Sequence, residues 1–168
     1  MKWFRRRKEE ARLRGLFQSC VTPEAVDSLI AETGLVDSSL KEREVEFVWL
    51  WIDLRLSNER AEMLGRAMAL AVESGCFVDA ICPPLITIYH NVISFKEGGE
   101  TFERTDFVGR LQAEFGSRAK VVHGAATASV GNIGSKDRFS YGVVAAWQEP
   151  VLIHLTQQKF GEYSEWHS

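Results

Sequence analysis

Val130-Gly-Asn-Ile-Gly-Ser-Lys-Asp-Arg-Phe-Ser-Tyr141-Gly-Val-Val144 sets two glycines inside a polar turn, with an apolar run on either side. Gly131 and Gly134 tolerate positive φ and close backbone approach, as a hairpin turn requires. The flanks, Val121 to Val130 and Phe139 to Ala145, then read as two strands around the turn Gly131–Arg138. A phosphate cradle is the competing reading of any glycine-rich loop. This run lacks the Lys-Ser/Thr of a P-loop and leads into no helix, so that route to nucleotide binding is set aside.

Upstream, Phe102 to Phe115 spaces Phe107, Leu111 and Phe115 at four-residue intervals, the stripe of an amphipathic helix. Before it come Leu85 to about Phe95, a strand ending toward the Gly98-Gly99 loop, and a short strand at 76–82 broken off by Pro83-Pro84. Asn58 to Ser74 reads as a helix with Ala61, Leu64, Met68, Ala71 and Val72 on its apolar face and Gly75 as terminator. Val45 to Leu54 is apolar on both of its alternating faces, which suits a central strand covered on both sides. Residues 34–43 read as a loop. Trp147 to about Lys159, entered through Pro150, reads as a last helix.

The core of this order is βαββαβ, a ferredoxin-like α+β fold: an antiparallel sheet with helices on one face. A C-terminal hairpin and helix follow it. An N-terminal helical segment, residues 1–33, precedes the domain at 43–168; Thr22 is a good N-cap there, with Pro23 at the first helical position.

Bulk properties bound the function. At 168 residues, 45% apolar and 26% charged, the chain is one soluble globular domain by size and composition. Its net charge of −3 argues against nucleic-acid binding. Residues 2–14 are strongly basic, however, and offer either a frayed, solvated helix start or a contact with an anionic membrane or acidic partner. No run approaches a membrane span. Cys20, Cys76 and Cys82 form no Cys-x-x-Cys motif and read as reduced thiols, Cys76 and Cys82 as small apolar core residues. The expected location is therefore cytoplasmic, free or peripheral to a membrane. His90, His123, His154 and His167 lack zinc-site spacing.

Two stretches resemble the class III adenylate and guanylate cyclase catalytic domain. The glycine run is similar to that family's hairpin, GNIGS-x-x-R-x-x-Y-T-V-I-G-D, with His123-Gly124 near its Ile-His-x-Gly strand. Leu13 to Leu29 resembles the helix L-x-x-L-F-x-x-Y-V-S-P-E-V-V-x-x-L that precedes bacterial cyclase domains. Glu46 to Arg55 falls where the family's T-V-L-F-A-D-I-R-G-F belongs, and Gly75 to Asp79 where it has G-G-x-x-D-K. The resemblance implies a head-to-tail homodimer whose interface joins a ribose 3′ oxygen to an α-phosphate and releases pyrophosphate. Two metal-binding aspartates from one subunit, and a Lys, Asp, Asn and Arg from the other, would supply that chemistry.

Those residues are largely missing. Asp53 matches the first metal aspartate; a solvated strand-end carboxylate or a cap of the next helix is the plain alternative. Pro84 stands at the second, and Ala80 and Ala146 stand at the base-selecting Lys and Asp. Glu149 replaces the transition-state Asn and Ile153 the Arg, with His154 one residue on as a possible substitute. Losing one electrostatic stabiliser typically costs about 10²–10³ in rate. The expectation is a degenerate domain with no cofactor, serving signalling or dimerisation. The alternative is a weakly active cyclase or nucleotide binder that takes ATP or GTP with Mg²⁺ or Mn²⁺, through Asp53 and partners such as Glu149 or His154. Trp49 and Trp51, on one side of a strand, read as core or dimer face, with nucleotide stacking as the lesser alternative.

Overall fold

The computed structural model describes residues 27, 40–55, 59–92, 102–132 and 141–167. The expected N-terminal helical segment, apart from helical Asp27, the Gly98-Gly99 loop and the interior of the glycine run at 133–140 lie outside the described residues.

Strand β1 (Lys41–Ile52) is the axis of the molecule. It pairs antiparallel with β3 (Leu85–His90) on one side and with β4 (Ala119–Asn132) on the other. Beyond β3 lies β2 (Phe77–Cys82), and β5 (Tyr141–Val144) pairs with the end of β4. The sheet order is thus β2-β3-β1-β4-β5. Helix α1 (Arg60–Glu73) carries the chain from β1 to β2, and α2 (Arg104–Phe115) carries it from β3 to β4. This is the ferredoxin-like core read from the sequence. The strands flanking the glycine run pair as read, with Asn132 opposite Tyr141, and β4 takes in Gly131 and Asn132.

Side chains alternate across a strand, so β1 feeds two cores. Val48, Leu50 and Ile52 meet Met63 and Ala67 of α1 and Phe107, Leu111 and Phe115 of α2. Val45, Phe47 and Trp49 meet Val143 of β5 and Val151 and Leu155 of helix α3 (Gln148–Gln157). Trp147, at the entrance to α3, stacks on Phe47 with ring centroids 4.5 Å apart, and it also closes on Trp49 and Tyr89. The two crossover helices cover one face, and the C-terminal hairpin and helix seal the other. Trp49 is therefore core, whereas Trp51 is only half-buried.

Several boundaries differ from the sequence reading, each for a physical reason. β1 begins at Lys41 inside the expected loop, because Lys41–Glu44 pair with Val130–Thr127 of a β4 that is itself longer than expected. These residues look loop-like because their side chains remain mostly in solvent. β3 ends at His90 rather than near Phe95: Asn91 takes φ 61° and its side-chain amide donates to the Glu44 carbonyl. The buried face of α1 is Met63, Ala67 and Ala71, about one residue earlier than the stripe centred on Leu64 and Met68. Two alanines on that face allow the helix to lie close to the sheet. Cys76 is buried as expected, but Cys82 is exposed at the end of edge strand β2.

The short strand β6 (Tyr163–Glu165) has no counterpart in the sequence reading. It runs parallel to Val121–His123 of β4. Its position requires Gly124. A Cβ there would lie 2.8 Å from the Trp166 carbonyl oxygen and 3.0 Å from the Phe47 ring, closer than packed atoms approach.

Candidate functional site

The main chain leaving β1 is gripped from two sides. The Ile52 N–H donates to the Pro84 carbonyl at 3.0 Å, and the Asp53 N–H donates to the Arg118 carbonyl at 2.7 Å. Asp53 is thereby held between the β2–β3 turn and the short 3₁₀ turn Gly116–Arg118. Its carboxylate is not directed at open space. Oδ1 accepts from Arg55 Nε at 2.8 Å and from the Arg55 N–H at 3.1 Å, while Oδ2 accepts from Arg55 Nη2 at 2.8 Å. These charge-assisted bonds hold the Asp53 carboxyl at about 2, well below the usual carboxylate range.

A cavity of about 660 Å³ opens beside this pair. Trp51, Phe160 and Leu64 of α1 are among its lining residues, and Pro83-Pro84 stands where a second acidic residue is implied by the resemblance. Arg55, Arg60 and Lys120 bring three cations to the walls against the single carboxylate of Asp53. Lys120, only 6% exposed, donates to the Thr156 and Gln158 carbonyls, each at 3.2 Å, at the C-terminal end of α3. Its ammonium lies 5.0 Å from the Trp51 ring centre and 5.5 Å from that of Phe160, and the Arg55 guanidinium sits 5.5 Å from the same Phe160 ring. Burial lowers the Lys120 pKa, with Glu162 acting in the opposite direction.

The donor set is poor for a divalent cation: even Mg²⁺, which keeps several waters, is held through one or two free carboxylates together with substrate phosphates. One carboxylate is present, and a guanidinium already occupies both of its oxygens. Among the described residues no group of three or more His, Cys, Asp or Glu side chains could hold a metal ion.

The other sequence candidates lie elsewhere. Glu149 is exposed on the first turn of α3 and lines no wall of this cavity. His154, on the same helix, places Nε2 3.1 Å from Ser164 Oγ and meets Trp166 edge-on, so it is tied to β6. Asp53, Glu149 and His154 are not brought together within the chain. Ala80 and Ala146 are exposed, and Ile153 is half exposed. Asp79, beside the bulge between Val78 and Ala80, accepts a hydrogen bond from the Val143 N–H, while burial pushes its pKa up to about 6.

The middle of β1 has the opposite character. Arg104, at the start of α2, reaches Glu46 of β1 at 3.4 Å and Glu165 of β6 at 2.5 Å. His90 Nδ1 lies 3.6 Å from Glu46, and its ring stacks on Phe102 at 4.3 Å. His123 is buried alongside, with Nδ1 unbonded. Burial raises the Glu46 pKa, against the pull of Arg104, and lowers those of His90 and His123. Sequence reasoning missed Arg60, Lys120 and Phe160 entirely. The one available signal was Lys120 breaking the apolar run Ala119-Lys-Val-Val, which reads as a solvated strand start.

No family model matches the chain, and no curated protein matches it in sequence. Solved structures do match its fold. The adenylyl cyclase CyaB from P. aeruginosa superposes with a TM-score of 0.55 at 12% identity, over 76% of this chain and 79% of that one. The guanylate cyclase domain of RhGC from Catenaria anguillulae, in complex with GTP, gives 0.53 at 11% identity, over 74% and 79%. A bacterial light-regulated adenylyl cyclase gives 0.55 at 10% identity, over 97% of this chain and 54% of that one. The chain has a nucleotidyl cyclase-like fold. None of its described helices is long and apolar enough to cross a membrane.

Proposed function

We propose that this chain is a nucleotidyl cyclase-fold domain that has given up cyclase chemistry and serves signalling through homodimerisation. The observation that carries this reading is the Asp53–Arg55 pair facing Pro83-Pro84. Where a pair of metal-binding carboxylates would activate a nucleophile, the fold holds one neutralised carboxylate and two prolines. Ala80, Ala146 and Ile153 extend the reading to the half-site a partner subunit would contribute. The chain therefore suits neither half of a heterodimeric cyclase. The basic residues 2–14 are a second contact surface in this proposal, for an anionic membrane or an acidic protein, in a cytoplasmic setting and without nucleic acid.

The cavity beside Asp53 favours a second reading: a weakly active cyclase or nucleotide binder taking ATP or GTP with Mg²⁺ or Mn²⁺. Glu149 and His154 would then have to act from a second copy, since within one chain they line no part of that cavity. Calorimetric titration of ATP and GTP with either metal, followed by an assay for cyclic nucleotide, separates the two. The first reading expects no turnover. Metal-dependent turnover abolished by Asp53→Ala would establish the second. Sedimentation equilibrium on the full chain tests the dimer.

A further inference from the structure

We propose that the far end of the C-terminal strap, residues 165–167, is released by acid: it lifts from β4 when His123 beneath it takes up a proton. β6 lies parallel to Val121–His123, and just past it the Trp166 N–H donates to the His123 carbonyl at 2.7 Å. The near end is anchored by hydroxyls. Tyr163 donates to the Gly116 carbonyl at 3.1 Å, and Ser164 Oγ meets both Gln158 and His154. The far end relies on charge, through Glu165 and the Arg104 guanidinium that also reaches Glu46.

This contact is imperfectly satisfied. Among the described residues, the buried side-chain polar atoms without a partner are Arg104 Nε, His123 Nδ1, Gln158 Oε1 and Trp166 Nε1. All four belong to the strap or to residues that touch it. A buried donor or acceptor left unpaired loses its water and gains nothing in return. Closing the strap therefore gains less than its contact area suggests, and a small change in charge can decide whether it stays closed.

His123 supplies that change. It is 8% exposed, and a protonated imidazole donates from both nitrogens, yet its Nδ1 has no acceptor. Arg104 of α2 and His167 beyond β6 oppose a positive charge on the ring, and Glu165 favours it. Glu46 of β1, with His90 of β3 beside it, is held by the same guanidinium. Burial outweighs these neighbours and lowers the His123 pKa from the ordinary imidazole value of 6.5. Lifting the strap hydrates the ring and returns its pKa toward that value, so the open form takes up the proton more readily. The closed form is thus favoured above that value and lost as pH falls through the depressed one. Protonation of Glu46 works against release, because it leaves Arg104 to Glu165 alone.

The test is ¹⁹F NMR of the full chain labelled with 5-fluorotryptophan, between pH 8 and 5. Trp166→Phe assigns the strap resonance, and Trp49→Phe assigns a core reference. The Trp166 resonance should move reversibly to a solvent-exposed position, with a midpoint below 6.5, while Trp49 keeps its buried one. His123→Asn keeps a neutral polar group and should hold the strap closed across the range. Glu165 is 44% exposed, so Glu165→Gln should fold; it should raise the midpoint by about one pH unit. Glu165→Gln decides the matter if His123→Asn does not fold. A Trp166 resonance that ignores pH, or that moves only together with Trp49, overturns the proposal. So does an unchanged midpoint in either variant.

Discussion

The middle and the C-terminal end of β1 carry opposite solutions to the same problem, a charged side chain against an otherwise apolar stretch of strand. Around Glu46 the charges are folded in: Arg104 bridges Glu46 and Glu165, and two histidines crowd the carboxylates. That cluster ties β1, α2 and β6 into one unit. At the Asp53 end the carboxylate meets a largely exposed Arg55, and the cations beyond it line a cavity. Charges that join elements together are structural; charges left around a hollow are available to a ligand. The same strand therefore anchors the fold at its middle and borders a cavity at its end.

The comparison breaks first at Arg104. Arg104→Met leaves Glu46 and Glu165 facing each other without a cation. Unpairing a buried ion pair costs several kcal/mol. Both carboxylates here are partly exposed, which reduces the expected loss to about 2–3 kcal/mol. Urea unfolding should register it as a lower midpoint; an unchanged midpoint would mean that the cluster does not bind the elements together.

Acid should act next, and on the same cluster. Burial depresses the folded-state pKa values of His90 and His123 below the ordinary imidazole value of 6.5. Their contribution is present above that value and is lost as pH falls through the depressed values. The unfolding midpoint should decline between pH 7 and 5, where Asp53 is silent. Asp79, pushed up to about 6 by burial, offsets part of the decline as the folded state takes up its proton. His123→Asn should flatten part of that decline. The raised Glu46 pKa works in the opposite sense: its protonation on further acidification relieves a buried charge. Asp53 titrates in another window. Its stabilising pair is complete above about 4 and is lost as pH falls toward about 2.

The smallest effect belongs to Asp53→Ala at neutral pH. The pair is a surface one, with Arg55 76% exposed, and exposed pairs contribute little. The midpoint should stay where it is. A large drop would show that the carboxylate anchors the end of β1 and would blur the contrast between the two regions.

Much of this was legible along the chain. Alternation in Val45 to Ile52 marks a strand covered on both sides, and the four-residue spacing of Phe107, Leu111 and Phe115 marks the buried face of α2. The glycine run between two apolar stretches marks the β4–β5 hairpin. These features depend on side-chain period and on backbone freedom, which are local and survive in one dimension. Asp53 was legible as the end of a strand. The absence of the implied acidic and basic side chains around it was legible too, because a proline or alanine carries no carboxylate or amine in any fold.

The remainder depends on neighbours far along the chain. Lys41–Glu44 are a strand only because β4 lies alongside. Tyr163–Glu165 pair only because β4 offers a free edge, and Gly124 allows the following Trp166 to cross. The cavity combines Trp51, Arg60, Lys120 and Phe160, from four separate parts of the sequence. A lysine inside a strand and an arginine at a helix start look alike in sequence, as solvated charges. Packing alone makes the first a buried ammonium between two rings and sets the second at the rim of the same hollow. A charge acquires its function from its dielectric surroundings and its partners, and those exist only once the chain has folded.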